Sequence, residues 1–187
     1  MTPPPIAPVL GKVVGHLGAA GIRYMLAGSF ASTIHGQARA TRDVDLVIDP
    51  TQASLEAFLA RLDGSVYVDR GSAREALRRR DMFNLIDLES GWKIDLIVRK
   101  DRAFSREELA RCLPAVVDGV TVQVATPEDT VLSKLEWSTI TRQERQLEDV
   151  RGILEVQGTA LDRAYVERWA RALGVSDLWA RLAAERP

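Results

Sequence analysis

Leu26-Ala-Gly-Ser-Phe-Ala-Ser-Thr-Ile-His-Gly-Gln-Ala-Arg-Ala-Thr-Arg-Asp-Val-Asp-Leu-Val-Ile-Asp49 is the stretch on which the reading of this chain turns. An apolar run from Tyr24 to Ala27 stops at Gly28-Ser29, and a helix-like segment follows to His35. A loop runs through Thr41, and a second apolar strand opens on Asp43-Val44-Asp45. Strand side chains alternate between faces, so Asp43 and Asp45 share one side while Val44 and Leu46 point into a core. A third carboxylate, Asp95, sits in another strand-like run, Lys93-Ile-Asp-Leu-Ile-Val98.

Two carboxylates held this close repel each other, and burying either one unpaired is costly. A divalent cation removes the conflict, and Mg²⁺ in particular prefers a few carboxylates together with phosphate oxygens and water. Gly28-Ser29 adds a helix N-terminus, whose free N–H groups and partial positive charge suit a phosphate. Glycine permits close backbone approach there, and the Ser29 hydroxyl adds a hydrogen-bond donor. Together these parts are what metal-dependent phosphoryl or nucleotidyl transfer requires. The plain alternative, solvated carboxylates at a strand edge, is disfavoured by the Gly-Ser turn before them. Asp87 competes with Asp95 for the third position. Asp95 is preferred because it lies mid-strand among Ile, Leu and Ile, where a charge without a partner would be expensive.

The constellation resembles the nucleotidyltransferase superfamily, whose signature is Gly-Ser, about a dozen residues, then Asp-x-Asp. Thirteen residues separate Ser29 from Asp43. Residues 24–49, 83–100 and 126–158 are similar to the small bacterial nucleotidyltransferase-like proteins related to AbiEii abortive-infection toxins. The resemblance implies an α/β (α+β) fold, a mixed sheet flanked by helices, with a C-terminal helical bundle. It implies Asp43, Asp45 and Asp95 as catalytic and metal-ligating residues, with Gly28 and Ser29 at the nucleotide. It also implies two Mg²⁺ ions, with Mn²⁺ as a substitute, and transfer from a nucleoside triphosphate to an acceptor that is RNA, a protein or a small molecule. The family places a functional lysine on the helix matching Lys134, with basic and acidic partners on the next, here Arg145 to Asp149. An antitoxin partner follows if the chain is a toxin. The competing function is a silent protein that keeps the fold and binds nucleotide or a partner without transferring, and the complete carboxylate set speaks against it.

Composition bounds these readings. With 187 residues and a formal net charge of −1, the chain can bury a real core and has no global field drawing it to nucleic acid or membrane. The single cysteine, Cys112, excludes an internal disulfide. The opening Met-Thr-Pro-Pro-Pro has no basic or apolar leader pattern and nothing later is long enough to span a bilayer, so a cytoplasmic protein without a membrane partner is expected.

Helical spacing covers 9–20, with Gly11, Gly15 and Gly18 weakening it, and a second helix follows the turn and cap at Asp49-Pro50-Thr51. A short basic helix is expected over 73–80, a hairpin of strands 82–88 and 93–98, and a strand over 120–124. Helices are expected over 127–138, 143–156, 162–173 and 176–185, giving an α/β core over 1–125 and a helical part over 126–187. His35-Gly36 reads as a helix end. Arg39 and Thr41 face either a triphosphate or their own acidic neighbours. The cluster Arg74, Arg78, Arg79 and Arg80 lacks interleaved aromatics and reads as a solvated face. Trp137, Trp169 and Trp179 read as bundle core, and Asp149, four residues after Arg145, as a candidate surface ion pair.

Overall fold

The computed structural model describes residues 4–38, 40–41 and 43–185. In chain order the elements are α1 (Ala7–Ala19), β1 (Arg23–Leu26), α2 (Gly28–His35), β2 (Asp43–Asp49), α3 (Gln52–Arg61), β3 (Val66–Val68), α4 (Arg70–Arg79), β4 (Met82–Asp87), β5 (Lys93–Val98), α5 (Ala103–Arg111), β6 (Leu113–Val117), β7 (Val120–Val124), α6 (Pro127–Thr141), α7 (Glu144–Gln157), α8 (Arg163–Leu173) and α9 (Ser176–Ala184). The expected mixed α/β architecture is present. Three elements have no counterpart in the sequence reading. β3 is only three residues long, β6 contains Pro114, and α5 buries only Phe104 and Leu109 as large apolar side chains. The chain divides into two compact units, Met1–Leu26 with Thr41–Val124, and Ala27–Ala40 with Ala125–Pro187.

The first unit is built on one mixed sheet with strand order β3-β4-β5-β2-β1-β7-β6. Its centre is the parallel pair β2–β5, in which Val44, Leu46 and Ile48 stand against Ile94, Leu96 and Val98. All six are fully buried. Each is worth roughly 1.5–3 kcal/mol of transfer free energy, enough to hold the register. β1 runs antiparallel to β2 and parallel to β7, and β4 runs antiparallel to β5. Helix α1 packs on β1, β7 and α3, while α4 packs on β4 and α3. Local chemistry sets the helix starts. Thr51 accepts from the Ser54 N–H at 3.1 Å while Ser54 Oγ accepts from the Thr51 N–H at 2.9 Å, a reciprocal cap on α3. Asp69 accepts from the Ser72 N–H at 2.9 Å, so α4 begins at Arg70, ahead of the expected start. The β6–β7 hairpin turns on Asp118 and Gly119, with φ of 49° and 83°, the left-handed pair that a two-residue turn requires.

In the second unit α6 is the central helix. Residues 128–132 are buried one after another, so its first turns are covered on all sides rather than along one stripe. Thr126 caps it, accepting from the Asp129 N–H at 3.2 Å, with Pro127 in the first turn where no N–H is needed. α2 packs on both α6 and α7, α8 packs on α6, and α9 on α8. The approach of α2 to α7 is close enough to be decided by two glycines. A Cβ on Gly36 would lie 2.8 Å from Ile153 N and 2.9 Å from Gly152 C, and one on Gly152 would lie 3.3 Å from Gln37 N.

This predicts opposite signs for two glycine substitutions. Gly36→Ala should destabilise by about 2 kcal/mol or more, since the clash is with backbone. Gly15→Ala, in mid-α1 with open space around its Cβ position, should stabilise by roughly 0.5–1 kcal/mol. Denaturant unfolding of both variants beside wild type reads the two shifts.

Candidate active site

On the face of the sheet opposite the aliphatic core, β2 and β5 pair Asp43 with Lys93, Asp45 with Asp95 and Val47 with Ile97. Asn84 of β4 stands on the far side of Asp95. The three carboxylates anticipated from the sequence therefore share one face of one strand pair. Their exposure is graded: Asp43 is exposed, Asp45 half-buried and Asp95 buried at 6%. Lys93, which the sequence reading used only to open a strand, lies two residues before Asp95 and so on its face. Its Nζ donates to Asp95 Oδ2 at 2.9 Å.

That bond leaves Asp95 half satisfied, because Oδ1 is buried with no hydrogen-bond partner among the described residues. A buried carboxylate oxygen in this condition is costly and is a ready ligand for a cation. The hydrogen bond from Lys93 to Asp95 holds the ammonium above its ordinary pKa against burial, and the charges of Asp95, Asp43 and Asp45 add to the effect. Lys93 thus places a positive charge among the three carboxylates of this face. As it stands, that face is not closed around an ion. Among the described residues no three His, Cys, Asp or Glu side chains form a group able to hold a metal. The donor set itself, hard oxygens with one unsatisfied, fits Mg²⁺ or Mn²⁺.

The other expected site residues have the following places. Arg39 lies outside the described residues. Thr41 Oγ1 is 3.4 Å from the Asp43 N–H, from which it accepts, so this hydroxyl steadies the start of β2. Asp87 accepts from the Ser90 N–H at 2.8 Å and from its hydroxyl, which commits it to the β4–β5 turn. Gly28 and Ser29 open α2 in the second unit. Gly28 has φ 57°, a left-handed conformation that accounts for glycine at this point. His35 donates through Nε2 to Ala125 O at 2.6 Å, and its own carbonyl accepts from Gln157 Nε2 at 2.8 Å, so it joins the end of α2 to α6 and α7.

Lys134 does not lie on a solvated face. It is buried at 6%, and its Nζ donates to Asp149 Oδ2 at 2.7 Å. Asp149 is therefore an inward partner across α6 and α7, where the sequence suggested a surface pair with Arg145. Beside it, Thr126 Oγ1 and Tyr165 OH donate to the two oxygens of fully buried Asp129 at 2.7 and 2.6 Å. Glu128 accepts from the Asp162 N–H at 3.0 Å. None of these acidic residues was singled out in the sequence, although Thr126-Pro127-Glu-Asp is an N-cap pattern. Of the three tryptophans expected in the helical part, Trp179 is buried and Trp169 half-buried, but Trp137 is 49% exposed, because it falls on the outer side of α6. Three α4 arginines form ion pairs within the unit: Arg74 grips Glu56 at 2.6 and 2.8 Å, and Arg78 and Arg79 share Glu75.

Comparison with solved structures places this architecture. An antigenic nucleotidyltransferase-like protein from Paracoccidioides brasiliensis superposes with TM-score 0.63 at 16% identity, covering 96% of this chain and 88% of that one. The antibiotic-resistance factor ANT(2'')-Ia gives 0.58 at 15% identity over 96% and 95% of the two chains. The lincosamide antibiotic adenylyltransferase LnuA, bound to lincomycin, gives 0.52 at 13% over 79% and 95%. The chain matches no family model and no curated protein sequence. The fold is accordingly that of the nucleotidyltransferases. Among the described residues no helix is long and apolar enough to cross a membrane.

Burial of the Lys134–Asp149 pair yields a stability prediction. Lys134→Ala should cost about 3 kcal/mol, more than a surface lysine would, because it breaks a buried ion pair. Lys134→Met combined with Asp149→Leu should recover most of that loss. Urea midpoints of the single and double variants measure both effects.

Proposed function

We propose that this protein is a metal-dependent nucleotidyltransferase that moves a nucleoside monophosphate from a nucleoside triphosphate to the hydroxyl of a small molecule. The observation that carries this reading is the placement of Asp45 directly beside Asp95 on adjacent parallel strands, with Asp43 on the same face. These three carboxylates would hold Mg²⁺, two ions in the full arrangement, with Mn²⁺ as a substitute. The unsatisfied Oδ1 of Asp95 supports that assignment. When bound, such ions supply Lewis-acid polarisation of phosphoryl oxygens and offset the charge of the departing pyrophosphate.

The remaining work falls to the chain. Gly28 and Ser29 would offer the N-terminal N–H groups of α2 to phosphate oxygens. Thr41 positions Asp43 through its backbone. Arg39 is assigned to the triphosphate from its place two residues before Thr41. Lys134 acts as a framework residue, since it can reach a nucleotide only by abandoning Asp149. Catalysis in this scheme is alignment and charge stabilisation rather than proton transfer.

A small-molecule acceptor is favoured over RNA because Arg74, Arg78 and Arg79 of α4 are paired with Glu56 and Glu75. The lincomycin-bound LnuA supports a small acceptor on this fold. The deciding experiment incubates the protein with each α-labelled nucleoside triphosphate and Mg²⁺, offering aminoglycosides and lincosamides, total RNA, or cell lysate. Label in a small molecule supports the proposal. Label in RNA or protein keeps the transfer chemistry but moves the acceptor toward a toxin, with an antitoxin as its partner. No label from any triphosphate favours a protein that binds without transferring.

Asp45→Asn should lower transfer by about 10²-fold or more, because a ligand charge is lost at the reacting phosphates. Its metal-free stability should stay within about 0.5 kcal/mol of wild type, since packing around Val44 and Leu46 is untouched. Asp95→Asn should abolish activity likewise. Initial rates paired with thermal melts in EDTA test both halves, and wild-type rates in either variant would make these carboxylates structural.

A further inference from the structure

Lys93 is bonded directly to the carboxylate face, and its place there is specific. It shares a strand and a face with Asp95, its Nζ lies 2.9 Å from Oδ2, and in the parallel register it stands beside Asp43. The two ends of this pair differ in solvent access, with the lysine side chain 40% exposed and that of Asp95 only 9%. Asp95 therefore needs a positive partner wherever it is ionised, whereas Lys93 can leave toward water on a long flexible stem at little cost. A divalent ion on Asp95 and an ammonium on the same carboxylate repel each other, so the two compete for one place.

We propose that Lys93 is the resident counter-cation of this face and that divalent metal binds by exchange, the ammonium releasing Asp95 as the ion arrives. The inference rests on the metal-dependent reading above and adds to it a residue that holds the metal-free site together and sets how tightly metal binds. The exchange forms and breaks no covalent bond. One charge-assisted hydrogen bond is given up and metal–oxygen contacts replace it.

The test is a titration of the full chain with Mn²⁺, without nucleotide, following free Mn²⁺ by electron paramagnetic resonance. Lys93→Gln keeps a donor for Asp95 but removes the competing charge, and it should bind Mn²⁺ roughly fivefold tighter or more. Lys93→Arg keeps the charge and should bind no tighter than wild type. In EDTA the Gln variant should melt below wild type, and Mn²⁺ should raise its midpoint by more. Equal or weaker Mn²⁺ binding by Lys93→Gln, or tightening by Lys93→Arg as well, overturns the exchange while leaving the metal site standing. No Mn²⁺ binding by any of the three proteins overturns the metal-dependent reading and the exchange with it. A measurement on wild type alone is independent of variant folding. Saturating Mg²⁺ should increase acetylation of Lys93 by acetic anhydride, read by mass spectrometry, and unchanged acetylation overturns the proposal.

Discussion

Setting Asp45 beside Asp95 on parallel strands brings two negative charges to neighbouring positions about 4.8 Å apart across the sheet, and Asp43 adds a third on the same face. Nothing on that face favours such crowding by itself. The opposite face imposes it. Val44, Leu46 and Ile48 lock against Ile94, Leu96 and Val98, and a slip of one residue would turn all six outward. The aliphatic core thus fixes the register, the register fixes the carboxylates, and repulsion among them calls for a positive charge. Lys93 answers that demand at the buried end, on Asp95, while Asp43 lies at the exposed end.

Buried polar groups in the second unit follow another rule. Both oxygens of Asp129 accept side-chain hydrogen bonds, and Asp149 is bonded to Lys134. Replacing such a pair with well-packed apolar residues is often neutral in stability, so its role is better understood as fixing one alignment of α6 against α7. The contrast with Asp95 is physical. Satisfied buried carboxylates tie helices together, whereas Asp95 keeps one oxygen without a hydrogen-bond partner among the described residues.

Much of this was legible in the sequence for identifiable reasons. The shared face of Asp43 and Asp45 follows from the period of two, and the mid-strand context of Asp95 placed it correctly on a strand face. The β4–β5 hairpin and the Thr51 and Thr126 caps also carry local signatures. The environment of Lys134 did not, because the partner that buries it is fifteen residues away on another helix, and spacing alone cannot tell a buried lysine from a solvated one. Trp137 misled for a related reason. Apolar neighbours on a helix covered nearly all round do not reveal which side stays open. β3, α5 and β6 are too short or too polar to show a period. Lys93 was readable by the same alternation that pairs Asp43 with Asp45, but its meaning depends on the bond to Asp95. At 13–16% identity to its solved neighbours, the fold is carried by pattern rather than by sequence.

The close crossing at Gly36 and Gly152 also bears on how the chain assembles as it is made. α2 is synthesised about a hundred residues before α6 and α7, the helices it packs against. At roughly 5–20 residues per second that is a wait of about 5–20 s, during which an eight-residue helix is too short to persist alone. The first unit has all of its strands once Val124 has emerged, so its sheet can close while α2 is still an unpartnered segment. Nascent chains should therefore pass through a stage with the sheet formed and the Ala27–Ala40 segment open to proteases, a window that ends only when Gly152 arrives to receive Gly36.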